Sequence, residues 1–116
     1  DYQRSRGLGD VYKRQPFRAP LIVALVSTKK DHPKVPEMEQ IISTGTAGQN
    51  IMLALSALGY GAIWRTGSFA FNNKISEKFG LNENQTIIGY IYIGTPMGKK
   101  KSLPEMNTND YISIWD

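Results

Sequence analysis

The stretch Gly59-Tyr60-Gly61-Ala62-Ile63-Trp64-Arg65-Thr66-Gly67 closes the longest uncharged segment of the chain, which begins at Gln40. Arg65 ends that segment, and a guanidinium there needs a carboxylate, a phosphate or an electron-rich ring, because an unpaired buried charge is costly. Trp64 offers a flat apolar face, Thr66 a hydroxyl, and the glycines let backbone approach a ligand closely. The stretch therefore suits a flat aromatic ligand with polar edges or anionic groups. It is equally compatible with a strand end whose arginine pairs with a core glutamate.

A long buried helix is predicted before this stretch, from Pro36 to about Leu58, with Gly59 as its C-terminal cap. Residues at steps of three and four define one helical face. That face consists of Met38, Ile41, Gly45, Gly48, Met52, Leu55 and Leu58 or Gly59. Because the second half is apolar on its other sides too, we expect a sheet on one side and a second subunit on the other.

Three strands are predicted around this helix. Leu21–Val26 and Thr86–Ile93 are apolar and rich in β-branched residues, as central strands are, and Tyr60–Trp64 is a shorter strand leading to Arg65. A short helix is predicted over Lys74–Phe79. The tail after Met97 carries Tyr111, Ile112, Ile114 and Trp115, and its apolar surface predicts that it docks on another surface.

Composition excludes several classes of site. The chain has no cysteine and a single histidine, His32, so thiolate chemistry and a histidine-based zinc site are excluded. The net charge of +4 is spread along the chain, so no nucleic-acid partner is expected. No apolar run of about 20 residues indicates a membrane span, and without a visible signal peptide a cytoplasmic location is expected. No catalytic side chain, metal site, Walker loop or nucleophile elbow is predicted.

Residues 1–15, DYQRSRGLGDVYKRQ, show neither a helical nor a strand period. Residues 7–15 resemble a recurrent translation of a sequencing adaptor, so this segment is interpreted as non-native and disordered. A disordered basic arm is the alternative. On the first interpretation the domain starts at residue 16, and its N-terminal part is missing.

The order of motifs from residue 16 to residue 116 resembles the C-terminal half of the FMN-dependent nitroreductases, in particular their small single-domain putative NAD(P)H nitroreductase subgroup. The resemblance rests on a strand, a long buried helix, G-[YF]-G-x-I-W-R-[ST]-G at 59–67, a short helix, and a strand that ends in G-[YF]-x-Y-[IL]-G-T-P at 89–96. It implies an α+β fold with a mostly antiparallel sheet flanked by helices. It also implies an intertwined homodimer with two FMN sites at its interface.

The resemblance assigns two groups of cofactor-binding residues. Trp64, Arg65 and Thr66 match the family's second FMN-binding segment. A segment that contacts the nicotinamide nucleotide in relatives matches Ala54, Leu55, Ser56, Ala57, Leu58 and Gly59. The family's N-terminal Arg-Arg-Ser type motif has no match here, so half of the FMN site is missing and this chain alone is expected to be inactive.

The implied function is that of an FMN-dependent NAD(P)H oxidoreductase, which passes a hydride from NADH or NADPH through FMN to a nitroaromatic, a quinone or a similar conjugated acceptor. The flavin carries out this chemistry, so no side-chain acid or base is required. Two alternatives stay open: a family member with another reductive reaction, and a non-catalytic module that binds flavin or mediates dimerisation.

Overall fold

The computed structural model describes residues 19–67 and 72–116. The predicted non-native segment 1–15 lies outside these ranges, as do residues 16–18 and 68–71. The elements in chain order are β1 (Leu21–Thr28), α1 (Glu37–Ala57), β2 (Gly61–Arg65), α2 (Asn73–Lys78), β3 (Gln85–Gly94) and a short 3-10 turn (Thr108–Asp110).

The three strands form one antiparallel sheet in the order β1-β3-β2. β3 is central, and its side chains are buried on both faces. Leu25, Ile91 and Ile93 form a core between the sheet and α1, with Ile51 and Leu55 from the helix packed against it. With helices and an antiparallel sheet, the predicted α+β fold class is confirmed.

The opposite face of the sheet has its own core, which we call the outer face. It contains Ile87, Tyr90 and Tyr92, and Ile75 from α2 packs against it. Since α2 is only six residues long, it covers one end of this face. Among the described residues, none of the helices covers the outer face over β2.

A β-bulge in β3 changes which residues face α1. Leu25 pairs with Gly89 and Val26 pairs with Ile87, so Ile88 is an extra residue on β3. Ile88 therefore packs with the helix-side core, whereas its neighbour Ile87 packs on the outer face.

The indole of Trp64 fills the space that two glycines leave between sheet and helix. A Cβ atom added to Gly48 of α1 would lie 2.5 Å from Trp64 Cζ3 and 2.6 Å from Leu25 Cδ1. A Cβ atom on Gly89 would collide with Trp64 Nε1, and would lie 2.5 Å from Trp64 Cε2. The close contact at the middle of α1 is thus made by a tryptophan of the same chain.

The loop before α1 is held by one side chain. Gln40 Oε1 accepts a hydrogen bond from Lys30 N at 2.9 Å, while Gln40 Nε2 donates to Lys30 O at 2.9 Å and to Val35 O at 3.1 Å. These bonds fix the turn through which β1 connects to α1. His32 lies exposed on this loop.

The predicted face of α1 is confirmed in its middle and wrong at its ends. Gly48 is buried, and Gly45, Met52 and Leu55 are half-buried, but Met38 and Leu58 are exposed because the sheet does not reach the helix termini. Ile42 and Leu53 are exposed on the other side of the helix. The second subunit expected on that side stays a prediction.

The tail packs on none of the described elements, and all residues from 101 to 116 are exposed. Its docking surface also stays a prediction. Within the described ranges, no helix combines the length and apolar character that a membrane crossing requires.

We predict that Gly48→Ala destabilises the protein, whereas Gly45→Ala is neutral or stabilising. At Gly48 overpacking against the indole costs roughly 1–3 kcal/mol, which outweighs a helix-propensity gain of up to about 1 kcal/mol. At Gly45 the nearest atom to an added Cβ is Trp64 Cη2, at 4.0 Å, so there is no overpacking and only the gain in helix propensity remains. Urea-unfolding midpoints followed by tryptophan fluorescence measure both variants, and equal midpoints would contradict the packing of Trp64.

Candidate functional site

Trp64 lies on β2 with its side chain directed towards α1. The indole is half-buried and belongs to the helix-side core. The flat face of the indole, which the sequence analysis expected to contact a ligand, therefore packs against Gly48 and Gly89. A ligand contact at this position would involve the backbone or the ring edge.

Arg65 points to the outer face, because side chains alternate along a strand. It is exposed, contrary to its predicted place at the end of a buried segment, since β2 is an edge strand with an uncovered outer face. Its Cζ atom lies 5.8 Å from the centroid of the Tyr92 ring, within range of a cation–π interaction.

The partner expected for Arg65 is thus an aromatic ring. Among the described residues, the ion pair within 4.0 Å is Lys29–Glu37 at 3.7 Å, and Arg65 has no carboxylate partner there. The alternative of a strand-end arginine paired with a core glutamate finds no support in the described ranges. The guanidinium keeps its charge and its N–H donors available to a ligand.

An open groove of about 760 Å³ borders Arg65 on the outer face; we call it the Arg65 groove. One wall is β2 with Ile63 and Arg65, and the floor is Tyr92. The lining is completed by Ala19, Pro20, Gly61, Ala62, Ile93, Gly94, Thr95, Pro96 and Met97. The groove combines apolar walls with one cation at its rim.

Thr66 follows Arg65 directly and is exposed, so its hydroxyl is accessible. Gly67 comes next with a φ of +79°, a conformation that glycine adopts without strain. The chain thus turns away from the sheet immediately after the predicted FMN-binding residues. The groove itself was not predicted, and the G-T-P sequence at 94–96 was the signal that could have located it.

The segment predicted to contact a nicotinamide nucleotide lies at the end of α1. Leu55 is half-buried against the helix-side core, whereas Ala54, Ser56, Ala57, Leu58 and Gly59 are exposed. Of this segment, Ser56 and Gly59 line a second groove of about 400 Å³, which also contains Tyr60 and Lys100. The two grooves share Gly61, Ala62 and Pro96. Arg65 from one predicted group, and Ser56 and Gly59 from the other, therefore line adjacent grooves rather than one common site.

Tyr90 lies beneath this region, fully buried and opposite Arg65 in the β2–β3 register. Burial raises the pKa of its phenol above the ordinary value of 10.0, and the neighbouring Tyr92 raises the pKa further. The outer-face core therefore favours a neutral phenol. Across residues 19–67 and 72–116, no three His, Asp or Glu side chains are grouped so that they could hold a metal ion.

Comparison with known sequences identifies one family. The sequence profile described as "Nitroreductase family" matches residues 3–95. The Escherichia coli K12 protein named "Putative NAD(P)H nitroreductase YdjA" is 40% identical over 90 residues, which are 78% of this chain and 49% of that protein. A Haemophilus influenzae protein with the description "Putative NAD(P)H nitroreductase" is 32% identical over 100 residues, which are 83% of this chain and 53% of that protein. The chain spans about half the length of these relatives.

Solved structures agree on the fold. A nitroreductase-like protein from Bacillus cereus superposes with a TM-score of 0.71 at 19% identity, over 91% of this chain and 59% of that chain. A mutant of the FMN and NADPH-dependent nitroreductase NfnB from Sphingopyxis sp. strain HMH superposes with a TM-score of 0.69 at 18% identity, over 97% of this chain and 50% of that chain. At these identities the likeness shows the fold alone.

We predict that Tyr90→Phe flattens the decline of stability at alkaline pH. The folded-state pKa of Tyr90 is raised, so its contribution to stability is fully present below about pH 10 and is lost as the pH rises through the folded value. Urea-unfolding midpoints from about pH 8 to about pH 11 measure this. Tyr111→Phe, at an exposed tail position, is the control and should keep the wild-type slope. Parallel curves for all three proteins would contradict the assignment.

Proposed function

The chain belongs to the nitroreductase family, and from this premise we propose that it is the C-terminal part of an FMN-dependent oxidoreductase. In this proposal, hydride passes from NAD(P)H to a small conjugated acceptor such as a nitroaromatic or a quinone. The observation that carries the proposal is Arg65, a cation without a described carboxylate partner at the rim of an apolar groove. A cytoplasmic location belongs to the same proposal.

The residues of the Arg65 groove suit FMN. Arg65 supplies a positive charge and N–H donors for an anionic group or a polar ring edge, and the exposed Thr66 supplies a hydroxyl. Ile63 and Pro96 give apolar walls against which a flat ring can lie. When bound, FMN would supply the hydride relay between NAD(P)H and the acceptor. Trp64 would contribute through its backbone and by holding β2 in place.

The described side chains would bind and orient rather than transfer protons. We assign no catalytic acid or base to this chain, since orientation and exclusion of water suffice when a cofactor carries the chemistry. Of the segment Ala54–Gly59, Ser56 and Gly59 line the groove that adjoins the Arg65 groove, and we propose that the nicotinamide nucleotide approaches there. Ser56 and the nearby Lys100 are the polar side chains that could orient it.

A homodimer is the second part of the proposal. Ile42 and Leu53 on α1, and Ile114 and Trp115 on the tail, are large apolar side chains that the described chain leaves exposed. Covering one such side chain gains roughly 1.5–3 kcal/mol. We propose that a partner subunit and the upstream part of the protein cover them, and that the present chain alone is inactive. The complete protein, meaning this chain behind an upstream part equivalent to that of its relatives, is the form to test.

We predict that Arg65→Ala in the complete protein weakens FMN binding at least about tenfold. A charge-assisted hydrogen bond contributes roughly 1.5–3 kcal/mol, and about 1.4 kcal/mol corresponds to tenfold. Lys101→Ala is the control, because Lys101 is an exposed tail residue outside both grooves. Flavin fluorescence titrations measure the dissociation constants, and equal flavin affinity in both variants would refute the role of Arg65.

Turnover of the same protein separates the alternatives. Oxidation of NAD(P)H with a nitroaromatic or quinone acceptor supports the proposed enzyme. A reaction with other acceptors alone would indicate a family member with another reductive reaction. Bound flavin without any NAD(P)H oxidation would identify a flavin-binding or dimerisation module.

We further predict that Trp115→Ala raises the dissociation constant of the dimer by about tenfold or more. Trp115 is 92% exposed in the single chain, and a tryptophan buried at an interface contributes about 2 kcal/mol or more. Sedimentation equilibrium of the complete protein measures the change, with Lys101→Ala as control again. A dimer of unchanged affinity would show that the tail lies outside the interface.

A further inference from the structure

The ring beneath Arg65 is held rigidly by the outer-face core. Tyr92 is 5% exposed and packs with Ile87 and Tyr90. Ile63 lies directly opposite it on β2. A ring enclosed in this way gives a fixed surface at the floor of the Arg65 groove, whereas the guanidinium above it is on a long, exposed side chain.

The Cζ atom of Arg65 lies over the Tyr92 ring, 5.8 Å from the ring centroid, within the range of a cation–π interaction. Because the ring is neutral, this interaction leaves the positive charge of the guanidinium uncancelled. A carboxylate partner would instead occupy two donors and cancel the charge. The ring therefore restricts the position of the guanidinium and leaves its capacity for an anion intact.

The sheet alone does not fix the guanidinium. The register places Arg65 opposite Tyr90 and diagonal to Tyr92, which determines its Cα position and its face of the sheet. The side chain beyond Cβ retains several rotatable bonds, and ordering them on ligand binding costs free energy. A ring that orders them beforehand reduces this cost.

We propose that Tyr92 is a positioning residue, whose aromatic ring orients Arg65 towards the phosphate of the ligand in the Arg65 groove. The proposal rests on the proposed function, in which that ligand is FMN. It assigns the effect to the ring and not to the phenol hydroxyl, and it limits the effect to the anionic part of the ligand.

The first test compares two ligands and two variants in the complete protein. Tyr92→Leu removes the ring and Tyr92→Phe retains it. FMN carries the phosphate and riboflavin lacks it, so a positioning effect weakens FMN alone. We expect roughly two- to fivefold weaker FMN binding by Tyr92→Leu, the range of an exposed cation–π contact, with Tyr92→Phe near wild type. Riboflavin binding should be equal in all three proteins.

A double-mutant cycle assigns the effect to Arg65. If Tyr92 acts through Arg65, then Tyr92→Leu has no further effect on FMN binding in the Arg65→Ala background. Additive losses would overturn the proposal. Equal losses of affinity for FMN and for riboflavin would also overturn it, because they indicate a general disturbance of the fold. Equal losses of FMN affinity in Tyr92→Leu and Tyr92→Phe would overturn it as well, because they assign the effect to the hydroxyl.

If the complete protein binds neither FMN nor riboflavin, the proposed function is refuted. A second measurement then still tests the positioning role of Tyr92. Inorganic phosphate is titrated while the Arg65 Nε–H resonance is followed by NMR. Phosphate binding at Arg65 that is weaker in Tyr92→Leu and unchanged in Tyr92→Phe supports the positioning role. No phosphate response at Arg65, or the same response in all variants, overturns it.

Discussion

The packing of one indole against two glycines determines how helix and sheet are arranged in this chain. Trp64 occupies the space that Gly48 leaves on α1 and Gly89 leaves on β3, so the indole lies between helix and sheet where neither has a Cβ atom. The bulge at Ile88 is part of this arrangement, because the extra residue brings Gly89 opposite Leu25. Because the indole contacts both α1 and β3, it fixes β2 against both elements.

The direction of Trp64 decides the direction of its neighbour. Since side chains alternate along a strand, the residues before and after an inward tryptophan must face outward. Arg65 and Ile63 are therefore directed to the outer face by the same packing that holds Trp64 in the core. The outward direction of Arg65 is thus a consequence of core packing on the other side of the sheet.

The sequence predicted the elements well because their signals are local. All five helices and strands lie within two residues of the predicted bounds, since periodicity, capping residues and glycines act over a few positions. The environment of Trp64 and Arg65 was predicted poorly because it depends on distant residues. Nothing near Trp64 in the sequence shows that Gly89 lies under its indole, and nothing near Arg65 shows that β2 is an edge strand. An electron-rich ring was one of the three types of partner that the sequence allowed for Arg65. Only the register of β2 on β3 shows that this ring is Tyr92.

The Arg65 groove has one further property that bears on function: it is open. Sites for flat ligands of cofactor size usually bury most of the ligand surface, which needs walls on both sides of the ring. The described residues supply a floor at Tyr92 and a wall at β2, and they leave the groove open opposite β2. Large apolar side chains on α1 and on the tail are exposed in the same chain. In the proposed function, the partner subunit and the upstream part of the protein would cover this apolar surface, and a second wall for the groove would come from the same addition. Cover of the core and completion of the ligand site would then occur together.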